Sequence, residues 1–145
     1  GKKNGTFTEN TGRYFAKKLL ETFRYLTQQD ILHRDIKPEN ILIDHNYQPL
    51  LVDFGFSNDR RQKESRFIGD IRYASPEVVK HIEYTEKSEV YSFGLLLFFI
   101  ITGKYPFGMA RVSDANYRLL LERKYKDFWG KVELSIKKQL SNEFK

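Results

Sequence analysis

Cysteine is absent from the 145 residues, methionine and tryptophan occur once each, and proline occurs four times. Without a thiol, neither a disulfide framework nor a thiolate metal site can form, which suits a reducing compartment; a cytoplasmic location is the expectation. Long hydrophobic runs are also missing. The longest, Val90 to Ile101, covers 12 positions and contains Ser92 and Gly94, short of the roughly 20 residues that span a bilayer. It reads as a buried helix, and no membrane partner is expected. No stretch near Gly1 joins a basic start to an apolar run and a small-residue cleavage site, and the chain reads as a segment of something longer. Charge of one sign is not collected anywhere: 25 basic and 19 acidic residues are interspersed, for a net charge of +6. The densest cluster, Arg60, Arg61, Lys63 and Arg66, reads as solvated surface, and no nucleic-acid partner is expected.

Hydrophobic residues make up 40% of the chain, enough for one modest core. Phe15, Ala16, Leu19, Leu20, Phe23 and Leu26 recur at helical spacing, which predicts an amphipathic helix over 8–29, with Thr6 and Glu9 as a capping box. Ile41-Leu42-Ile43 and Leu50-Leu51-Val52 flank a turn-rich stretch and predict a small hairpin. From Gly55 to Tyr73 the chain is polar and aperiodic, the character of a functional loop. Ser88 is the expected cap of a central hydrophobic helix over 89–101, stopped by Gly103 and Pro106. Further helices are expected near Ser113 to Leu121 and from Leu134 onward. The fold class is therefore mainly α with a small β-hairpin (α+β).

The chemistry concentrates in His33-Arg34-Asp35-Ile36-Lys37-Pro38-Glu39-Asn40 and in Asp53-Phe54-Gly55. Moving a phosphoryl group to a hydroxyl requires a group that takes the hydroxyl proton and positive charge for the transferring oxygens, and Asp35 and Lys37 are of those types. Magnesium takes few protein oxygens, and Asn40 and Asp53 can supply them. Singly, each residue reads equally well as a turn former or a local hydrogen-bonder.

Together these residues resemble the catalytic-loop and Asp-Phe-Gly signatures of protein kinases, a family whose residue roles are well defined. Ser75-Pro76-Glu77 resembles the Ala-Pro-Glu end of an activation segment, and Glu89-Val90-Tyr91-Ser92-Phe93-Gly94 the start of the central helix. The resemblance implies the larger, helical C-lobe of a serine/threonine kinase, with ATP and Mg2+ as cofactors and protein Ser/Thr hydroxyls as acceptors. Asp35 would be the base, and Lys37 would contact the transferred phosphate. Asn40 and Asp53 would ligate the metal, with Glu39 and Leu42 on the nucleotide side and Leu42 beneath the adenine. His33 and Phe54 would stack in the column joining the lobes. Arg34 would pair with an activation-loop phosphate, for which Ser57 and Ser65 are the candidates.

Several departures accompany the match. Asp70 stands where the family usually has a threonine, and is expected to repel Asp35 and raise its pKa. Glu89 replaces an aspartate that bonds the catalytic-loop backbone. Glu77 is expected to lack its usual arginine partner, loosening the lower lobe. Residues 1–145 contain no Gly-rich loop, strand lysine or helix glutamate; the N-lobe and final helices are expected in the parent chain, and this segment alone is expected to be inactive. A pseudokinase-like scaffold and a small-molecule phosphotransferase are the alternative readings.

Overall fold

The computed structural model describes residues 7–59, 68–136 and 140–142. Helix α1, Glu9–Gln28, is a long amphipathic element that buries Phe15, Leu19 and Leu26. Its cap is Thr8, whose side chain accepts the Thr11 amide, and not the expected Thr6, which lies outside the described residues. The helix ends where Asp30 enters the left-handed region at φ 55°, a conformation a short polar side chain tolerates.

Two small antiparallel sheets follow. The expected hairpin forms between β2, Ile41–Ile43, and β3, Pro49–Leu51, with Leu42 opposite Leu50. The second strand starts one residue earlier than its apolar run suggests and releases Val52 to a bond with the Asn40 carbonyl (2.9 Å). A second ladder joins β1, Ile31–Leu32, to β4, Asn58–Asp59. No alternation in the sequence marks β4, because this pair of residues is polar and takes extended structure only from its partner.

After the short helix α2, Pro76–Val79, the core helix α3 spans Glu86–Thr102. It starts a turn before the expected boundary. Thr85 is the cap, and Ser88 is the reciprocal member of a capping box: the Thr85 hydroxyl accepts the Lys87 amide while Ser88 Oγ accepts the Thr85 amide. Gly103 closes it at φ 69°, donating to the Phe99 carbonyl at 2.7 Å. Helix α4, Ala115–Leu121, is capped by Asp114, and α5 runs Tyr125–Ile136. This helix starts well before Leu134, where the last helix was expected to begin, and reaches into that stretch, since Phe128 and Val132 at helical spacing bury its inner face.

The middle of α3 lies between two apolar clusters. Leu95 and Leu96 join Leu19, Ile36, Tyr73 and Phe107 on one side, while Phe98 and Ile101 join Phe128, Val132 and Leu140 on the other. A helix apolar around its whole circumference is stable only when covered like this. Its first turns carry buried polar groups instead, Ser88, Glu89 and Ser92, and these face the loops that form the site. Among the described residues no helix is long and apolar enough to cross a membrane.

Candidate functional site

The loop between β1 and β2 brings Asp35, Lys37 and Asn40 together. Asp35 is 3% exposed; its Oδ2 accepts from Lys37 Nζ at 2.6 Å and from Asn40 Nδ2 at 2.9 Å. Asn40 Nδ2 also donates to the Asp35 backbone carbonyl at 2.7 Å, so one amide fixes both ends of the residue. Asp35 Oδ1 is buried and has no hydrogen-bond partner among the described residues. The hydrogen bond from Lys37 to Asp35 holds the ammonium pKa above its ordinary value.

Buried contacts hold the loop from behind. His33 Nε2 lies 3.0 Å from the Val52 carbonyl, which can only accept, so Nε2 carries the proton and Nδ1 accepts the Asp35 amide at 3.3 Å. Burial lowers the His33 pKa, in keeping with a neutral ring. Its edge meets Phe54 with centroids 4.7 Å apart, as expected for that pair. Arg34 takes a positive φ of 68°, and its amide is accepted by Glu89 Oε1 at 2.7 Å. The longer side chain at position 89 thus reaches the catalytic loop. Its carboxyl is buried and faces Tyr84 as well as Arg34, and desolvation pushes its pKa up to about 7 against those hydrogen bonds.

Asp53 lies across Val52 from this loop, in the left-handed region at φ 65°, with its side chain accepting the Gly55 amide at 3.3 Å. Asp53, Phe54, Gly55 and Phe56 are all exposed. The hard oxygen donors suit a magnesium ion: Asp53 presents a carboxylate, and the bonds made by Asn40 use its amide nitrogen and leave its oxygen for a cation. Leu42 is 54% exposed beside exposed Leu50, and Glu39 points to solvent.

The third wall is the stretch from Ile68 to Ala74. Gly69 takes φ +103°, and a Cβ there would stand 2.8 Å from the Arg34 carbonyl oxygen and 3.2 Å from Asp35 Oδ1, so this position requires glycine. Asp70 does not confront Asp35 as a bare charge. Arg72 grips its carboxylate through Nε and Nη2, and the hydrogen bonds from Arg72 hold the Asp70 pKa down. The expected repulsion is neutralised within two residues. Glu77 has a different partner from the one expected to be missing: Ser88 Oγ donates to it at 2.8 Å. Ser92 Oγ donates to the Tyr73 carbonyl at 2.7 Å, tying the same stretch to α3. Arg72, Ser88 and Ser92 were not read from the sequence as site residues; the Asp-x-Arg spacing of Asp70 and Arg72 is the one local signal that points to any of them.

Of the residues expected to form a phosphate switch, Arg34 Nε donates to the Phe56 carbonyl at 2.5 Å. The neighbouring Ser57 hydroxyl is buried without a hydrogen-bond partner among the described residues. Ser65 and the basic cluster Arg60, Arg61, Lys63 and Arg66 lie outside the described residues.

A helical lobe with this loop, the Asp-Phe-Gly turn and the Ser-Pro-Glu helix start has the arrangement of the protein-kinase family. Residues 1–145 match the family described as Protein kinase domain, and the chain belongs to that family. Its relatives include Aurora kinases and serine/threonine-protein kinases. It is 34% identical to an Aurora kinase of Eremothecium gossypii over 81% of this chain and 32% of that protein. It is 36% identical to an Aurora kinase of Dictyostelium discoideum over 72% and 28%. It is 32% identical to the serine/threonine-protein kinase PDK1 of Cryptococcus neoformans over 73% and 9%. The chain therefore spans at most about a third of the length of these relatives.

Proposed function

We propose that the protein to which these residues belong transfers the γ-phosphoryl group of ATP to serine or threonine hydroxyls of protein substrates. The observation that supports this most is the asymmetry of the Asp35 carboxylate. Oδ2 is held by Lys37 and Asn40, while Oδ1 is buried, unpartnered among the described residues and left for an incoming hydroxyl. Asp35 accepts the hydroxyl proton as the oxygen attacks phosphorus, and Lys37 supplies positive charge to the transferring oxygens. Asn40 keeps the base in place through its nitrogen. Its oxygen and the Asp53 carboxylate would hold Mg2+, which would neutralise charge on the phosphate oxygens. Leu42 and Glu39 lie on the nucleotide side, Leu42 offering an apolar surface to the adenine ring.

Residues 1–145 form the C-lobe in this reading. Taken alone they contain no Gly-rich loop or strand lysine to grip the nucleotide, and we expect no turnover from them. Neither departure favours the scaffold reading in this geometry, because Asp70 is neutralised by Arg72 and Glu89 bonds the Arg34 amide.

The test is magnesium-dependent phosphate transfer from ATP to a generic protein substrate by the full-length protein beside its Asp35→Asn variant. A loss of about 10²–10⁴-fold is expected for removal of a general base. Equal signal from both proteins removes Asp35 from the mechanism and leaves the scaffold.

A further inference from the structure

Asp70 departs from the family pattern, and its pairing with Arg72 gives that departure a task. An open hollow of about 490 Å³ is bordered by Lys37, Phe56, Gly69, Asp70 and Ile71, so Asp70 and Lys37 line the same space. Lys37 feels the charge of Asp70 there. Asp70 is in turn held by a fork: Oδ1 accepts from Arg72 N at 2.9 Å and Nε at 3.0 Å, and Oδ2 accepts from Nε and Nη2. The guanidinium is fixed from its other side, with Cζ 4.7 Å from the centroid of Tyr105, whose ring packs on Tyr73 and Phe99. A guanidinium placed between a carboxylate and an aromatic face is pre-organised and cannot be replaced in kind by an ammonium.

We propose that Arg72 is a positioning residue for phosphate transfer: by occupying the Asp70 carboxylate it keeps Lys37 on Asp35 and available to the transferring phosphate. With Arg72 gone, the hollow would hold a second bare carboxylate that draws the Lys37 ammonium away and repels an entering phosphate. This explains why an acidic residue is tolerated at position 70. The inference rests on the kinase reading for its catalytic consequence, but the capture of Lys37 can be observed without turnover.

In the full-length protein, Arg72→Ala is expected to lower kcat about tenfold with KM for the protein substrate changed less than twofold, and Arg72→Lys to restore only part of it. The double variant Asp70→Thr/Arg72→Ala is expected within about twofold of Asp70→Thr alone. A purely structural role for Arg72 would leave the same defect in the Asp70→Thr background, and that result overturns the proposal. The second readout is the 15N signal of the Lys37 ammonium, expected to move in Arg72→Ala and to return in the double variant. A Lys37 signal unmoved by Arg72→Ala also overturns it. If wild type and Asp35→Asn transfer phosphate equally, the kinase reading falls while the Lys37 measurement still decides whether Arg72 keeps Asp70 from capturing the lysine.

Discussion

Two neighbouring stretches supply the acidic side chains of the site, and they are built in opposite ways. In the loop from His33 to Asn40, the residues His33, Asp35, Ile36 and Asn40 are buried, and bonds from Val52 and Glu89 reach it from outside. From Asp53 to Phe56 every residue is exposed, and the Asp53 side chain bonds only the Gly55 amide among the contacts described. The position of Asp35 is thus set by buried contacts, whereas Asp53 sits on an exposed segment, the kind of segment expected to have low local stability.

The largest expected break in this contrast comes from Glu89. Its carboxyl is held at about 7 in the fold against 4.5 as its ordinary value, so the folded state keeps a proton the unfolded chain has already lost. Stability is therefore greatest below about pH 4.5 with respect to this group, falls as pH rises toward 7, and is flat above. The loss is about 3 kcal/mol at most. Glu89→Gln keeps an acceptor for the Arg34 amide without the buried charge, and unfolding followed across that pH range should lose this slope. A slope equal in both proteins would place the proton elsewhere.

Next in size is a glycine pair. Gly69→Ala drives a Cβ into the Arg34 carbonyl at positive φ and should cost about 1–3 kcal/mol in denaturant unfolding. Gly55→Ala meets only the Asp53 side chain at 3.2 Å, on the exposed segment, and should change stability by less than about 0.5 kcal/mol. Similar costs at both positions would erase the distinction between the stretches. Phe54→Ala, which removes the edge contact with His33, should cost about 0.5–1.5 kcal/mol, less than Gly69→Ala although it deletes a whole ring. His33 should stay neutral on Val52 in that variant, as its imidazole NMR signals would report.

What could be read from the sequence was what is local. The period of Phe15, Leu19 and Leu26 marks α1 because one helix face is written in one stretch of chain, and Asp35, Lys37 and Asn40 fall within a single loop. The grip of Glu89 on Arg34 joins residues 55 positions apart; no spacing announces it, and only the family resemblance pointed to position 89 as an anchor of that loop. The same holds for Ser92 on Tyr73. At α3, hydroxyls at Thr85 and Ser88 both qualify as caps, and only the closed capping box shows which is outermost. The start of helix α5 was placed too late although Phe128 and Val132 carry its period, because Gly130 and the charged residues around it mask the stripe.

The ladder of Ile31 with Asp59 and Leu32 with Asn58 has a consequence for the site. It binds the residues just before the Asp35 loop to those just after the Asp-Phe-Gly turn, yet it is only two pairs long. Opening so short a ladder costs little, since each net hydrogen bond is worth about 1 kcal/mol. The loop that carries Asp35 and the turn that carries Asp53 are thus joined on this side by a link that costs little to break.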